Sequence, residues 1–275
     1  MPEKIALLSD IHGNTPALRA VLRDIAREQC ARVYVLGDII NGVDPNGCVE
    51  LIQSISTAVC IRGNAEAYLL TPDLDEFPKR HEPMFADLIG LVRWWHARLS
   101  PHAIKWLEQF PDTWRWNGAL LVHDSPFDRL LAREGRAPGI APKYQELVYH
   151  GKGISSRASA DEFAKLFAWM ETQNLSGIFC GHTHEPFCKW LGDRFICNAG
   201  SVGMPLDSDP RPAWILLEET GKEPGITIRR VDYAIEEMMT LIDATPDYPD
   251  FKDANFKSAY KMMLTTGTHW RAYMR

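Results

Sequence analysis

The amino-terminal part of the chain alternates short apolar runs with segments of helical periodicity. Residues 5–8 are an apolar run of strand length, and residues 32–36 and 57–61 are two further, mainly apolar, predicted strands. Between them, apolar residues recur at helical spacing after Thr15-Pro16 and after Asp44-Pro45. We expect Thr15 to be the N-cap of the first helix and Pro16 its first residue, where proline is favoured. The strand–helix–strand–helix–strand order predicts an α/β fold with a parallel sheet and right-handed crossovers.

The segment from about residue 66 to 112 departs from this alternation. It contains an apolar stripe at helical spacing, formed by Met84, Leu88, Leu91, Val92, Trp95 and Leu99. We expect a helical insertion that covers one side of the sheet and turns this stripe inward. Strand patterns return afterwards, with a hairpin predicted at Gly192-Asp193. We therefore divide the chain into a domain of residues 1–235 and a helical carboxyl-terminal extension of residues 236–275.

Five of the predicted strands end in side chains that can bind a metal ion. These side chains are Asp10, His12, Asp38, Asn64, His123, His182 and His184. Each has an ordinary explanation by itself, because such residues are also common in turns or as buried histidines. In open α/β sheets, however, ligands bind beyond the carboxyl ends of the strands, where several strand ends meet. The combination therefore predicts one site.

The donor set indicates which ions this site would hold. Seven oxygen and nitrogen donors are more than one ion normally needs, and they suit two ions that share a ligand. Mixed carboxylate and imidazole donors favour Mn, Fe, Co, Ni or Zn over Ca. We therefore expect two divalent transition-metal ions as cofactors, with manganese favoured.

Composition limits the partners and the location of the protein. The net charge of −6 argues against stable nucleic-acid binding but is compatible with a small phosphorylated substrate bound through metal ions. The six cysteines form no C-x-x-C pair and several lie in apolar runs, so we expect buried free thiols in a reducing compartment. The sequence shows no signal-peptide pattern and no apolar stretch of membrane-spanning length, which predicts a cytoplasmic protein that does not enter a membrane. The oligomeric state cannot be predicted from the sequence.

Five short motifs in a fixed order resemble those of the calcineurin-like metallophosphoesterase superfamily, especially its small bacterial and archaeal phosphodiesterases. The motifs are Asp10-Ile-His12, Gly37-Asp38, Gly63-Asn64, His123 before Ser125-Pro126, and Gly181-His182-Thr-His184. The resemblance extends over residues 5 to about 203. It implies a four-layer α/β/β/α sandwich of two facing β-sheets with flanking helices.

The resemblance also implies a role for each ligand. The implied ligands are Asp10, His12 and His184 for one ion, Asn64, His123 and His182 for the other, and Asp38 as the bridge. The implied activity is dinuclear metal-dependent hydrolysis of a phosphate ester, in which a hydroxide bridging the ions attacks phosphorus. Asp38, Asn64 and His123 would then take part in catalysis, and Arg62 is a further candidate for binding phosphate.

Several activities fit this reading. We favour a phosphodiesterase acting on a small or nucleotide-like substrate. A phosphomonoesterase, a protein phosphatase, a dinucleoside polyphosphate hydrolase and a non-catalytic metal-binding scaffold are the alternatives. An assay on a generic aryl phosphodiester with added metal separates the scaffold from the enzymes.

The chain departs from the family pattern at Ala65, where histidine is usual, and at Asp124, where glycine is usual. The methyl group of Ala65 cannot donate a proton to a leaving oxygen. The adjacent Glu66 is the alternative proton donor, but we favour an exposed and ionised residue in the first turn of a helix, which is a poor acid at neutral pH. The sequence therefore predicts a rate that depends strongly on leaving-group acidity.

Overall fold

The computed structural model describes residues 2–71, 82–126, 153–219, 224–249 and 256–269. In these residues, ten strands form two five-stranded sheets. Sheet A has the order β10-β9-β1-β2-β3, with β1 (Lys4–Leu8), β2 (Arg32–Val35), β3 (Ala58–Cys60), β9 (Ala213–Glu218) and β10 (Gly225–Arg230). Sheet B has the order β4-β5-β6-β8-β7, with β4 (Thr113–Trp116), β5 (Ala119–Val122), β6 (Gly177–Cys180), β7 (Phe187–Leu191) and β8 (Arg194–Asn198). The predicted parallel pairing of β1, β2 and β3 is confirmed.

The helices of the described residues flank both sheets. They are α1 (Thr15–Glu28), α2 (Pro45–Gln53), α3 (Asn64–Leu69), α4 (Glu82–Arg98), α5 (Pro101–Leu107), α6 (Ala160–Thr172), α7 (Ile235–Asp243) and α8 (Phe256–Thr266). None of these helices is both long enough and apolar enough to cross a membrane.

The alternation of side chains along the strands separates the layers. In β1, Ile5 and Leu7 pack against sheet B, whereas Ala6 and Leu8 pack on the opposite face against helices that include α1 and α2. The outer face of sheet B packs against α6 through residues such as Phe167. Because β1 is buried on both faces, its sequence is a continuous apolar run rather than an alternating one. The predicted four-layer α/β/β/α sandwich is confirmed.

Helix capping agrees with the sequence at α2 and differs by one residue at α1. Asp44 caps α2, as its place before Pro45 indicates. At α1 the N-cap is Asn14, whose Oδ1 accepts a hydrogen bond of 3.1 Å from the amide of Ala17, so the prediction of Thr15 is wrong by one position. The amide side chain of Asn14 reaches the third helical N–H, and Pro16 takes the second position of the first turn.

The apolar stripe of the insertion faces the interior, as predicted. Leu91, Val92, Trp95 and Leu99 are buried in the core that lies between sheet A and its helices. Residues 72–81 and the side chain of Met84 lie outside the described residues, as does most of the segment 127–157. Helices α7 and α8 add side chains to this same core, and a domain boundary at residue 235 stays a prediction.

One prediction about the cysteines is wrong. Cys188 and Cys197 lie opposite each other in the β7–β8 hairpin and form a disulfide, with Cα atoms 4.1 Å apart. The antiparallel register brings together two residues that the sequence separates by nine positions. The other four cysteines are free thiols, and of these only Cys30 is not fully buried.

Candidate metal centre

The loops after β1, β2, β3, β5 and β6 bring all seven predicted ligand side chains to one end of the sandwich. Nine described residues other than glycine have a positive φ, and five of them are ligand candidates, namely Asp10, His12, Asp38, His182 and His184. Such backbone conformations are costly for these residue types and persist where the surrounding structure holds them. The strained turns are therefore concentrated at the predicted site.

The first group of donors consists of Asp10, His12 and His184. Asp10 Oδ1 lies 3.2 Å from His184 Nε2 and 3.6 Å from His12 Nε2, and the two Nε2 atoms are 2.9 Å apart. His12 Nδ1 faces the carbonyl oxygen of Asn41 at 3.2 Å, and His184 Nδ1 faces that of Met204 at 2.6 Å. A carbonyl oxygen only accepts hydrogen bonds, so each Nδ1 carries the proton. In the neutral rings, both Nε2 atoms then direct a lone pair toward the carboxylate of Asp10.

The second group consists of Asp38 and Asn64, which follow strands of sheet A, and of His123 and His182, which follow strands of sheet B. His123 Nε2 lies 3.0 Å from Asn64 Oδ1 and 3.5 Å from Asp38 Oδ1, and His182 Nδ1 lies 2.8 Å from Asn64 Oδ1. His123 Nδ1 donates to the carbonyl oxygen of Leu36 at 2.7 Å. His123 Nε2 is therefore an acceptor in the neutral ring, and it faces two oxygen atoms that also accept.

This arrangement fits divalent cations. Buried acceptor atoms so close together repel one another unless a proton or a cation lies between them. Asp10 Oδ1 is buried and has no hydrogen-bond donor. Asp10 belongs both to the group with His12 and His184 and to a group with Asp38 and His123, and in each group the ligand atoms lie within 4.8 Å of one another. Histidines that bind metals commonly donate their other ring N–H to a backbone carbonyl, as three of these do.

The electrostatics of the site favour an ionised Asp10. Burial by itself raises the pKa of this carboxyl, but His184 and His123 hold the pKa well below its usual range. Burial lowers the pKa of His182, and His123 lowers it further, which keeps the His182 ring neutral. Burial also lowers the pKa of His184, but the carboxylate of Asp10 outweighs this effect and the net shift is upward.

Glu66 supports the site and was misjudged from the sequence. It is completely buried rather than exposed. Its Oε2 accepts hydrogen bonds from the amides of Asp38 at 2.8 Å and Gly63 at 2.9 Å, and its Oε1 accepts one from the amide of Ile39 at 2.8 Å. Burial raises the pKa of Glu66, and the nearby Asp38 raises it further. The spacing of Gly63 and Glu66, from N-cap to third helical residue, is the sequence signal that could have revealed this contact.

Two glycines allow the loops to approach one another this closely. A Cβ on Gly63 would lie 2.2 Å from Asp38 Oδ1, and a Cβ on Gly181 would lie 2.5 Å from Asp10 Oδ2. Any larger residue at either position would displace a ligand candidate. Steric crowding therefore explains why glycine precedes Asn64 and His182.

The turn after β8 also holds the ligand loops in place. Asn198 Nδ2 donates to the carbonyl oxygen of Gly181 at 2.7 Å, and Ser201 Oγ donates to that of Asp10 at 2.7 Å. No local sequence pattern indicated that these side chains reach two ligand loops. That information depends on the packing of one sheet against the other.

Arg62 and Ala65 have surroundings that the sequence did not indicate. The guanidinium of Arg62 donates to the carbonyl oxygens of Glu108 at 3.3 Å and Phe110 at 2.9 Å, and it lies 3.5 Å from Asp112 Oδ1. These contacts join the end of β3 to the segment after α5. Ala65 is completely buried and belongs to the core beside sheet A, while its amide donates to Asp38 Oδ1 at 2.8 Å.

A comparison of the sequence with known protein families agrees with the fold and with this arrangement of ligand candidates. Residues 4–221 match the model of the calcineurin-like phosphoesterase superfamily domain. The chain belongs to this superfamily. The five motifs, which resembled those of the superfamily in sequence, lie within the matched residues, whereas α7 and α8 lie beyond them.

Two solved structures and one further relative are similar to this chain. The crystal structure of a metallophosphoesterase from Sphaerobacter thermophilus is similar to this chain, with a TM-score of 0.69 and 25% identity over 98% of this chain and 100% of that one. A hypothetical protein from Pyrococcus horikoshii has a TM-score of 0.73 at 17% identity over 97% and 99%, which shows a shared fold. An uncharacterized protein from Methanocaldococcus jannaschii is 26% identical over 249 residues, which cover 85% of this chain and 89% of that protein.

Proposed function

We propose that this calcineurin-like phosphoesterase is a dinuclear metal-dependent phosphodiesterase that acts on a small or nucleotide-like phosphate diester. The observation that carries the proposal is the pair of donor groups that meet at the carboxylate of Asp10. Membership of the superfamily supports hydrolysis of a phosphate ester as the reaction. We further propose manganese as the favoured metal. The cytoplasm stays a prediction of the sequence, since the Cys188–Cys197 disulfide removes the argument from free thiols.

The proposed roles of the side chains follow the donor groups. Asp10, His12 and His184 hold one ion, and Asn64, His123 and His182 hold the other. Asp38 is the proposed bridge, although in the structure Asp10 is the side chain common to both groups. Two bound divalent ions would supply Lewis-acid activation of the phosphoryl group and lower the pKa of water to about 7.

The charge of the protein favours a diester over a monoester. Besides Asp10 and Asp38, a third carboxyl group, that of Glu66, is buried beside Asp38. Arg62, the candidate for phosphate binding, contacts the backbone carbonyls of Glu108 and Phe110 and lies beside Asp112. A phosphodiester carries one negative charge, whereas a monoester carries about 1.5 to 2 at pH 7. The two proposed ions would supply four positive charges, which three carboxylates and one hydroxide would balance, so the site would have no excess positive charge to favour the more highly charged monoester.

The activity is tested with two aryl esters that share a leaving group. The full chain is freed of metal by chelation, supplied with Mn²⁺, and assayed on bis(p-nitrophenyl) phosphate and on p-nitrophenyl phosphate. We expect hydrolysis of the diester to be faster and to be lost on chelation. Faster hydrolysis of the monoester would favour a phosphomonoesterase, and bound metal without hydrolysis of either ester would favour the scaffold.

The ligand assignment is tested by metal content. Asp38→Ala should remove more Mn²⁺ per chain than His184→Ala, because the bridge touches both ions and His184 only one. His102→Ala is the control, since this histidine is exposed on α5, and it should retain the full content. Equal, full occupancy in Asp38→Ala and His184→Ala by elemental analysis would contradict the proposed roles.

The role of Arg62 is tested separately. If the guanidinium binds phosphate, Arg62→Lys should raise KM for the diester while the unfolding midpoint stays unchanged. If its contacts with Glu108 and Phe110 are its whole role, Arg62→Lys should lower the unfolding midpoint and leave KM unchanged. The second result would remove Arg62 from the proposed site.

A further inference from the structure

Helix α8 contacts the loop that carries two of the proposed metal ligands, although it lies beyond the residues that define the superfamily match. The hydroxyl of Tyr260 donates a hydrogen bond of 3.2 Å to the backbone carbonyl oxygen of His12. Tyr260 is only 2% exposed. The contact joins residues that are 248 positions apart in sequence, so only the tertiary structure brings them together.

The carbonyl of His12 needs a donor from outside its own loop. If the chain were helical here, the amide of residue 16 would be its local partner, but Pro16 has no N–H. Gly42 approaches the same carbonyl so closely that a Cβ there would lie 1.8 Å from the oxygen. Among the residues that the structure describes, Tyr260 donates a hydrogen bond to this buried oxygen. A buried carbonyl without a hydrogen-bond donor would destabilise the folded protein. The hydroxyl of Tyr260 supplies this donor.

The loop after β2 makes the other contacts that hold His12. The amide of His12 donates to the carbonyl oxygen of Asp38 at 3.0 Å, and the His12 ring donates to that of Asn41 at 3.2 Å. The backbone of His12 has a φ of 49°, a conformation that needs support from its surroundings. Tyr260 is therefore the contact that completes the support of this residue from the helical side.

The ring and the hydroxyl of Tyr260 have separable roles. The ring is part of the core and stacks on Tyr248, with centroids 6.4 Å apart and planes 22° apart. Burial raises the pKa of Tyr260 well above its usual range, and Tyr248 and Tyr233 raise it further, so the hydroxyl stays protonated and can donate. Phenylalanine would retain the packing and remove only the donor.

We propose that Tyr260 is a positioning residue for the metal centre: its hydroxyl fixes the backbone of His12 and thereby the direction in which His12 Nε2 faces His184 and Asp10. The inference rests on the proposed function, in that these three side chains hold a metal ion. Through Tyr260, helix α8 would then support the metal-binding site directly.

The test compares Tyr260→Phe with Tyr248→Phe, a matched loss of a buried hydroxyl from the neighbouring ring. Both variants of the full chain are freed of metal and titrated with Mn²⁺ by calorimetry. We expect Tyr260→Phe to weaken Mn²⁺ binding by about ten- to a hundredfold, as is common when a group that orients a ligand is removed. Tyr248→Phe should bind Mn²⁺ within about twofold of the natural chain. Unchanged affinity in Tyr260→Phe would overturn the inference.

A second measurement needs no bound metal. In metal-free protein, the ¹⁵N chemical shifts of the His12 ring should change in Tyr260→Phe and stay unchanged in Tyr248→Phe. A shift common to both variants would show a general loosening of the core and would overturn the positioning role. If the natural chain binds Mn²⁺ but hydrolyses neither ester, the proposed function fails, whereas the comparison of the two variants still decides the role of Tyr260.

Discussion

Replacing Glu66 by glutamine should weaken both the fold and the proposed metal centre. The carboxyl group accepts three buried backbone N–H groups at 2.8, 2.8 and 2.9 Å, from Asp38, Ile39 and Gly63. A glutamine side chain has almost the same shape, but its NH₂ group cannot accept a hydrogen bond. Whichever way the amide is oriented, at least one of the three donors loses its acceptor and faces another donor.

The magnitude follows from this count. A buried donor without an acceptor costs about 1–3 kcal/mol, and the remaining bonds are weakened because their acceptor is no longer a carboxyl group beside a helix N-terminus. We expect Glu66→Gln to lower the free energy of unfolding by about 2–4 kcal/mol. Because Asp38 N is one of the three donors, Mn²⁺ affinity should also fall, by about 10–100-fold.

Urea denaturation of metal-free protein and calorimetric titration with Mn²⁺ measure the two effects. Glu162→Gln is the matched control, because Glu162 is also the third residue of its helix and accepts from the N-cap amide of Ser159 at 2.8 Å, but in an exposed position. It should cost less than about 1 kcal/mol and leave Mn²⁺ affinity unchanged. Natural stability and natural Mn²⁺ affinity in Glu66→Gln would refute the role assigned to this carboxyl group.

Three further predictions concern the core, the disulfide and the chemistry. Trp95→Ala should lower the free energy of unfolding by about 3–5 kcal/mol, because Trp95 is buried in the main core; an unchanged denaturation midpoint would contradict the inward orientation of the insertion. Thiol titration in denaturant should find four thiols before reduction and six after it, since Cys188 and Cys197 are paired; six thiols without a reductant would exclude the disulfide. With Ala65 in place of a proton donor, the rate on diesters of graded leaving-group pKa should fall steeply as that pKa rises, because general acid catalysis of about 10²–10⁴-fold is missing; a flat dependence would mean that another residue supplies the proton.

Much of the fold can be predicted from short-range patterns. Continuous apolar runs at residues 5–8 and 33–36 predicted buried strands, because a strand covered on both faces needs apolar residues at every position. The alternation of these strands with helices predicted that they are parallel. Capping residues such as Asp44 marked helix starts, because a cap acts through an amide three residues away. The division into two facing sheets came from the resemblance to the superfamily, since no local pattern indicates which strands share a sheet.

The sequence predicted which ligand candidates lie together at the site, but not the contacts that support them. Asp10, His12 and the other donors follow strands, and the topology of an α/β sheet brings strand ends together. Glu66 reaches Asp38 and Ile39, and Tyr260 reaches His12, across 27 or more positions. Only the packed structure shows these contacts. For Glu66 the local environment predicted the opposite, because an early-turn glutamate is usually exposed.

The sequence by itself determined the strands, the helix starts and the residue types available at the strand ends, because these depend on side chains within a few positions of one another. Only the tertiary structure decided that Glu66 is buried under the Asp38 loop, that Cys197 pairs with Cys188, and that α8 supports His12. Each of these depends on how one layer packs against another, and burial changes what a carboxyl, a thiol or a hydroxyl group does by removing water as its partner.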